Sequence, residues 1–205
     1  MRRFLLAGLI ALTLVGPALA ANISTDPRTA PPGAYKIEPR HTQVLFAIPH
    51  FGITDYYGRF EKVSGTLTFN PAAPEKSAVD ITIDMTSLSV PSVPLAGELT
   101  GAEVFDSAQF PTATFKSTSI ERTGPTTGKI TGDLTIHGVA KPVTLDVTFN
   151  GGLQAPLGAA AYDIGFHATG TIKRSAFGLD KMQWTGFVGD DVKLTIEALF
   201  MQQKS

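Results

Sequence analysis

The chain has 205 residues, a formal net charge of −1, 43% hydrophobic residues and no cysteine. After the first twenty residues no run of like charge is longer than Asp190-Asp191, which argues against nucleic acid as a partner, since binding phosphates calls for a basic patch. Without cysteine there are no disulfides, so a hydrophobic core has to carry the stability, and a chain of this length can supply one in a single domain.

The first residues, MRRFLLAGLIALTLVGPALA, carry two arginines, an apolar run from Phe4 to Val15 and the small-residue motif Ala18-Leu19-Ala20. These are the three parts of a secretory signal peptide. The run is short for a membrane span. Residues 1–20 are therefore expected to be cleaved near Ala20, releasing a periplasmic or secreted protein that does not insert stably in a membrane. Residues 21–34, ANISTDPRTAPPGA, have no hydrophobic period and read as a flexible lead-in to one domain spanning 35–202.

From Tyr35 onward apolar residues alternate at period two, as half-buried strands require. Val44, Phe46 and Ile48 alternate, as do Leu67 and Phe69, then Val79, Ile81, Ile83 and Met85, then Ala113 and Phe115. In GDLTIHGVAKPVTLDVTFNGG, residues 132–152, Leu134, Ile136, Val143, Leu145, Val147 and Phe149 share a face around a His137-Gly138 turn. Ile164, Phe166 and Ile172 follow, then Val192, Leu194, Ile196, Ala198 and Phe200. One segment departs from the pattern: Leu95, Leu99, Ala102 and Phe105 recur at three and four residues, which predicts a short helix over 95–105.

Eight or nine such strands must bury their apolar faces on one another, as a sandwich or as a closed barrel. The stretches Tyr57 to Asn70 and Ala160 to Arg174 are long for a sandwich, and Gly65 and Gly170 lie where bends are needed. The fold class predicted is all-β: an antiparallel up-and-down, lipocalin-like barrel of about eight strands, with the short helix capping one mouth. A barrel of that size either fills itself with side chains or holds a small ligand.

Inward parity, followed to the strand ends, leads from Ile48 to His50, from Ile172 to Arg174 and from Val192 back to Asp190. Counted from Tyr35, these strands are the second, eighth and ninth of a meander, which brings the three polar groups to the helix-capped mouth. Such a site suits an amphiphile, with its tail inside and its headgroup at the entrance. Two structural alternatives stand beside it: an Arg174–Asp190 ion pair closing the loop between them, and a His50 bonded to a loop carbonyl.

Four motifs, HTQVLFAIPHFGITDYYGRF, FDSAQFPTATFKST, GDLTIHGVAKPV and IKRSAFGL, in this order and spacing, resemble the YceI-like proteins through most of Tyr35 to Phe200. The resemblance implies an exported lipocalin-like barrel whose apolar tunnel holds isoprenoid or other amphiphilic chains such as quinone-type lipids. Val104 stands where two Phe commonly precede the Asp, and Ala176 where an acidic residue is common; these departures bear on the headgroup.

Catalytic patterns are missing: His41, His50, His137 and His167 form no HxH or HExxH, and there is no GxSxG or GxxxxGK[ST]. No metal or cofactor is expected beyond a bound isoprenoid lipid, and a homodimer stays open. The residues expected to bind it are Val44, Phe46, Ile48, Ile83, Phe115, Leu145, Val147, Phe166 and Leu194 along the tail, with His50, Arg174 and Asp190 at the headgroup. The alternatives are a filled barrel acting as a stress-protective or interaction module, and a lipid-modifying enzyme using His50 with Asp190.

Overall fold

Alternating sequence becomes a sheet that closes on itself. The computed structural model describes residues 22–154, 161–180 and 186–203; the expected signal peptide lies outside them. The strands are β1 (Gly33–Ile37), β2 (Gln43–His50), β3 (Thr54–Phe60), β4 (Val63–Phe69), β5 (Ala78–Asp84) and β6 (Leu88–Ser89), then helix α1 (Val93–Thr100), then β7 (Thr112–Arg122), β8 (Thr127–Ile136), β9 (Val139–Gln154), β10 (Tyr162–Lys173) and β11 (Asp191–Gln202). All pairings are antiparallel, in the order β1-β4-β5-β7-β8-β9-β10-β11, and β11 returns to β1 to close an eight-stranded barrel.

The barrel has the eight strands expected, and the first two stretches counted from Tyr35 share one strand position. β11 pairs with β1 through Phe200 to Gln202 and with β2 through Lys193 to Glu197, so β1 and β2 are two lengths of one strand. Its break at 38–42 is held in place: Glu38 N donates to Leu199 O at 2.8 Å, and Leu199 N donates to Thr42 Oγ1 at 3.1 Å. Proline at 39 has no N–H to offer a ladder. The Glu38 carboxylate, 5% exposed, accepts from Arg40 Nε at 2.8 Å and His41 N at 2.9 Å. The long stretch from Tyr57 to Asn70 is likewise broken, at Glu61-Lys62, into β3 against β2 and β4 against β1.

The two predicted bends have different physical origins. Gly65 has φ +156° and an added Cβ would lie 2.3 Å from Asp80 O, so a backbone crossing demands glycine there. Gly170 has no such φ; an added Cβ would meet Leu145 Cδ2 at 2.6 Å, so it makes room for a side chain instead of bending the strand.

The helix is shorter than predicted. Ser92 caps α1 by accepting from Leu95 N, and Gly101 ends it. The chain then turns, leaving Ala102 exposed and Val104 buried in its place. The lead-in is docked on the barrel: Ser24 exchanges backbone hydrogen bonds with Gly152, Ala30 is 2% exposed, and Tyr35 Oη donates to Pro31 O at 2.6 Å. Its lack of period reflects docking through a turn and a bridge, which leave no repeat in sequence.

Below the middle of the barrel the inward aromatics Tyr35, Phe69, Phe149, Phe166 and Phe200 interlock, with Phe149 and Phe166 centroids 5.4 Å apart and nearly edge to face. Burial pushes the Tyr35 phenol up to about 12. This cluster packs one side of the interior.

Candidate functional site

Beside that aromatic cluster the barrel is hollow. A cavity of about 550 Å³ runs along the interior, within the roughly 300–1,000 Å³ typical of ligand pockets. Close-packed interiors leave few voids larger than a water molecule, so the filled-barrel alternative does not describe this interior. Val44, Phe46, Ile48, Ile83, Phe115, Leu145, Val147, Phe166 and Leu194 all line the cavity. Their side chains share the space because each strand contributes every second residue inward. Leu95, Leu99 and Phe105 cover the top. Toward the other end the lining continues through Val79, Ile120 and Phe149 to Pro27, Pro71, Pro74 and Pro125.

The polar groups behave differently from one another. His50 lines the mouth, its ring edge-on to Phe51 at 4.5 Å, and its backbone bridges to Val188. Arg174 also lines the cavity but is 7% exposed. Its guanidinium donates from Nε to Gly189 O at 2.9 Å, from Nη1 to Leu179 O at 2.7 Å and from Nη2 to Val188 O at 3.0 Å. It ties down the segments entering and leaving the loop after β10.

Asp190 is not among the lining residues. β11 begins one residue later, so strand parity does not reach it. Its carboxylate accepts from Ser175 N at 2.9 Å and Ser175 Oγ at 2.8 Å. Those bonds, the backbone one foremost, hold its carboxyl below the usual range. Asp190 thus neither faces the cavity nor ion-pairs with Arg174, and it is not placed to form an acid/base pair with His50.

Tyr56 and Val188 line the mouth and were missed in the sequence. The signal for Tyr56 was present: Phe60, Gly58 and Tyr56 hold one parity. Gly58 leaves room for its neighbours: a Cβ there would lie 2.3 Å from the Phe46 ring and 2.8 Å from Val90, so one of them would have to shift. His167 is outside, as its parity predicts, bonded to Glu197 at 2.6 Å. Among the described residues no three His, Cys, Asp or Glu gather into a group able to hold a metal ion, and no helix is long and apolar enough to cross a membrane.

A hollow antiparallel barrel under a short helix, carrying the four motifs on its strands and mouth loops, matches the YceI-like domain model over residues 35–200. The chain belongs to the YceI family. A UPF0312 protein of Pseudomonas savastanoi pv. phaseolicola is 34% identical over 169 residues, covering 82% of each chain. Among solved structures, BcnA of Burkholderia cenocepacia superposes with a TM-score of 0.70 at 29% identity, covering 80% of this chain and 98% of its own. A polyisoprenoid binding domain from Saccharophagus degradans shares the fold, with a TM-score of 0.63 at 16% identity, covering 82% of this chain and 98% of its own. The YceI motifs fall where the structure gives them work. IKRSAFGL carries the buried arginine and the turn below it, and FDSAQFPTATFKST closes the helical cap onto β7.

Proposed function

We propose that this YceI-family protein is an exported, non-catalytic carrier that holds an isoprenoid-tailed amphiphile in its barrel, acting in the periplasm or after secretion. The observation that carries the reading is the cavity of about 550 Å³ walled by inward apolar residues from the barrel strands and covered by α1. An apolar space of this size that ends in a polar group at His50 suits a long chain with a small polar end. The Saccharophagus neighbour, described as polyisoprenoid-binding, supports the same tail chemistry. The engagement of Asp190 with Ser175 speaks against the acid/base pair with His50 that a lipid-modifying enzyme would use.

The test is organic extraction and mass spectrometry of the protein purified from its native compartment. A polyprenyl compound or quinone-like lipid in near-equimolar amount is the expected result. Recovery of the protein without any apolar chain, after purification free of detergent, would oppose the proposal.

A further inference from the structure

The rim of the helix-capped mouth carries large apolar side chains that no element of the described chain covers. Phe51 is 56% exposed, Ile53 87%, Val93 81% and Phe187 52%. They stand at tips. Phe51 and Gly52 take left-handed backbone, φ 55° and 70°, to turn β2 into β3, and Ile53 projects from that turn. Phe51 N donates to Phe187 O at 2.7 Å and their rings lie 4.9 Å apart, which joins the turn and the 186–189 segment into one lip. Val93 opens α1, the cap over the same mouth. Two ion pairs flank the lip, Lys193 with Asp55 at 2.9 Å and Lys173 with Asp191 at 2.7 Å.

We infer that this crown docks on the surface of a lipid bilayer and sets the cavity mouth against the leaflet. Three features favour a bilayer over a protein. The apolar groups are four exposed side chains on a turn, a loop segment and a helix start, which can enter the headgroup boundary by about 5–10 Å, whereas a stable protein contact needs a fitted face of about 800 Å² per partner. Phenylalanine with aliphatic neighbours, as at Phe51, Ile53, Val93 and Phe187, is what interfacial binding buries at the headgroup boundary. The crown is also continuous with the cavity: His50 and Val188, next in sequence to Phe51 and Phe187, line it. A chain leaving the mouth therefore passes directly into whatever covers the crown. The purpose of docking rests on the carrier reading; the docking itself does not. Because the exposed tips Phe51, Ile53, Val93 and Phe187 are uncharged, the contact is driven by apolar burial and persists at high salt.

The experiment is flotation of the full mature protein with vesicles of phosphatidylethanolamine and phosphatidylglycerol lacking any isoprenoid, at low and high salt. Ile53→Asp and Val93→Asp, both at strongly exposed positions, are compared by flotation, thermal unfolding and titration with an isoprenoid alcohol in detergent. The wild type is expected to float at both salt concentrations. Ile53→Asp should weaken partitioning roughly 10- to 100-fold, the range set by burying one such side chain, with melting and detergent titration unchanged. A wild type that stays at the bottom of the gradient, flotation that both variants retain, or flotation lost at high salt would overturn the inference. So would a crown-dependent dimer in sedimentation without vesicle binding. Intact flotation with a failed isoprenoid titration would instead sink the carrier reading and leave the docking standing.

Discussion

Arg174 and Asp190 are joined through backbone and not through their charges: Arg174 N donates to Asp190 O at 3.0 Å, while the guanidinium binds three other carbonyls and the carboxylate binds Ser175. The pair closes the mouth loop as two separate fasteners. Arg174→Ala leaves three carbonyl acceptors without their donor in a buried site, so it should cost about 2–4 kcal/mol in urea unfolding. Asp190→Asn keeps one acceptor for Ser175 and should cost about 1 kcal/mol or less. Arg174→Ala should weaken binding of a headgroup-bearing lipid and of the bare hydrocarbon alike. Loss confined to the headgroup-bearing lipid, at unchanged stability, would return Arg174 to a headgroup role.

Gly65 and Gly170 give opposite expectations for the same substitution. At Gly65 the new Cβ meets backbone at 2.3 Å and the residue has φ +156°, so Gly65→Ala should destabilise by about 2–4 kcal/mol. At Gly170 the obstacle is the end of the Leu145 side chain, which can swing into the cavity. Gly170→Ala should therefore cost about 1 kcal/mol or less while reducing isoprenoid capacity. Thermal melts of the two variants, with and without ligand, check both statements.

Acid stability should depend on Glu38. Burial opposes its ionisation, but hydrogen bonds from Arg40 and His41 prevail and lower its pKa from 4.5 to about 2. A carboxyl with a depressed folded pKa stabilises fully above its unfolded value. That contribution is lost as pH falls from about 4.5 to about 2. Asp163 works in the other sense, because burial raises its pKa and protonation relieves it. Urea midpoints measured across this window should fall steeply with pH in the wild type and less steeply in Glu38→Gln. Parallel pH profiles would contradict the assignment.

The apolar lining of the cavity was legible in the sequence because period-two alternation in a closed barrel has only one interior to point into. The division of the stretches among the eight strand positions was not. Ile37 and Val44 point inward on opposite parities, as do Phe60 and Val63, so each phase slip reads as a new strand or passes unnoticed. In the structure each slip is a kink within one strand, capped by Glu38 or by the Glu61-Lys62 corner. Of the polar rim, His50 and Arg174 line the cavity as expected, whereas Asp190 does not, because parity was extended past a strand end. Arg174 begins a 3-10 turn and Asp190 precedes β11; at such ends loop hydrogen bonding, invisible to periodicity, decides where a side chain goes.

The most direct test of the carrier account is titration of isoprenoid alcohols of increasing length, at fixed detergent, against the wild type and Leu145→Trp. Each five-carbon unit offers on the order of 3 kcal/mol of gross burial, against roughly 4–15 kcal/mol for association and chain ordering. One unit should therefore scarcely bind, and affinity should climb with length until the cavity is full, then level off. Leu145 lines the cavity, so tryptophan there should move the plateau to shorter chains with the barrel still folded. A length dependence that is flat in the wild type would contradict the account.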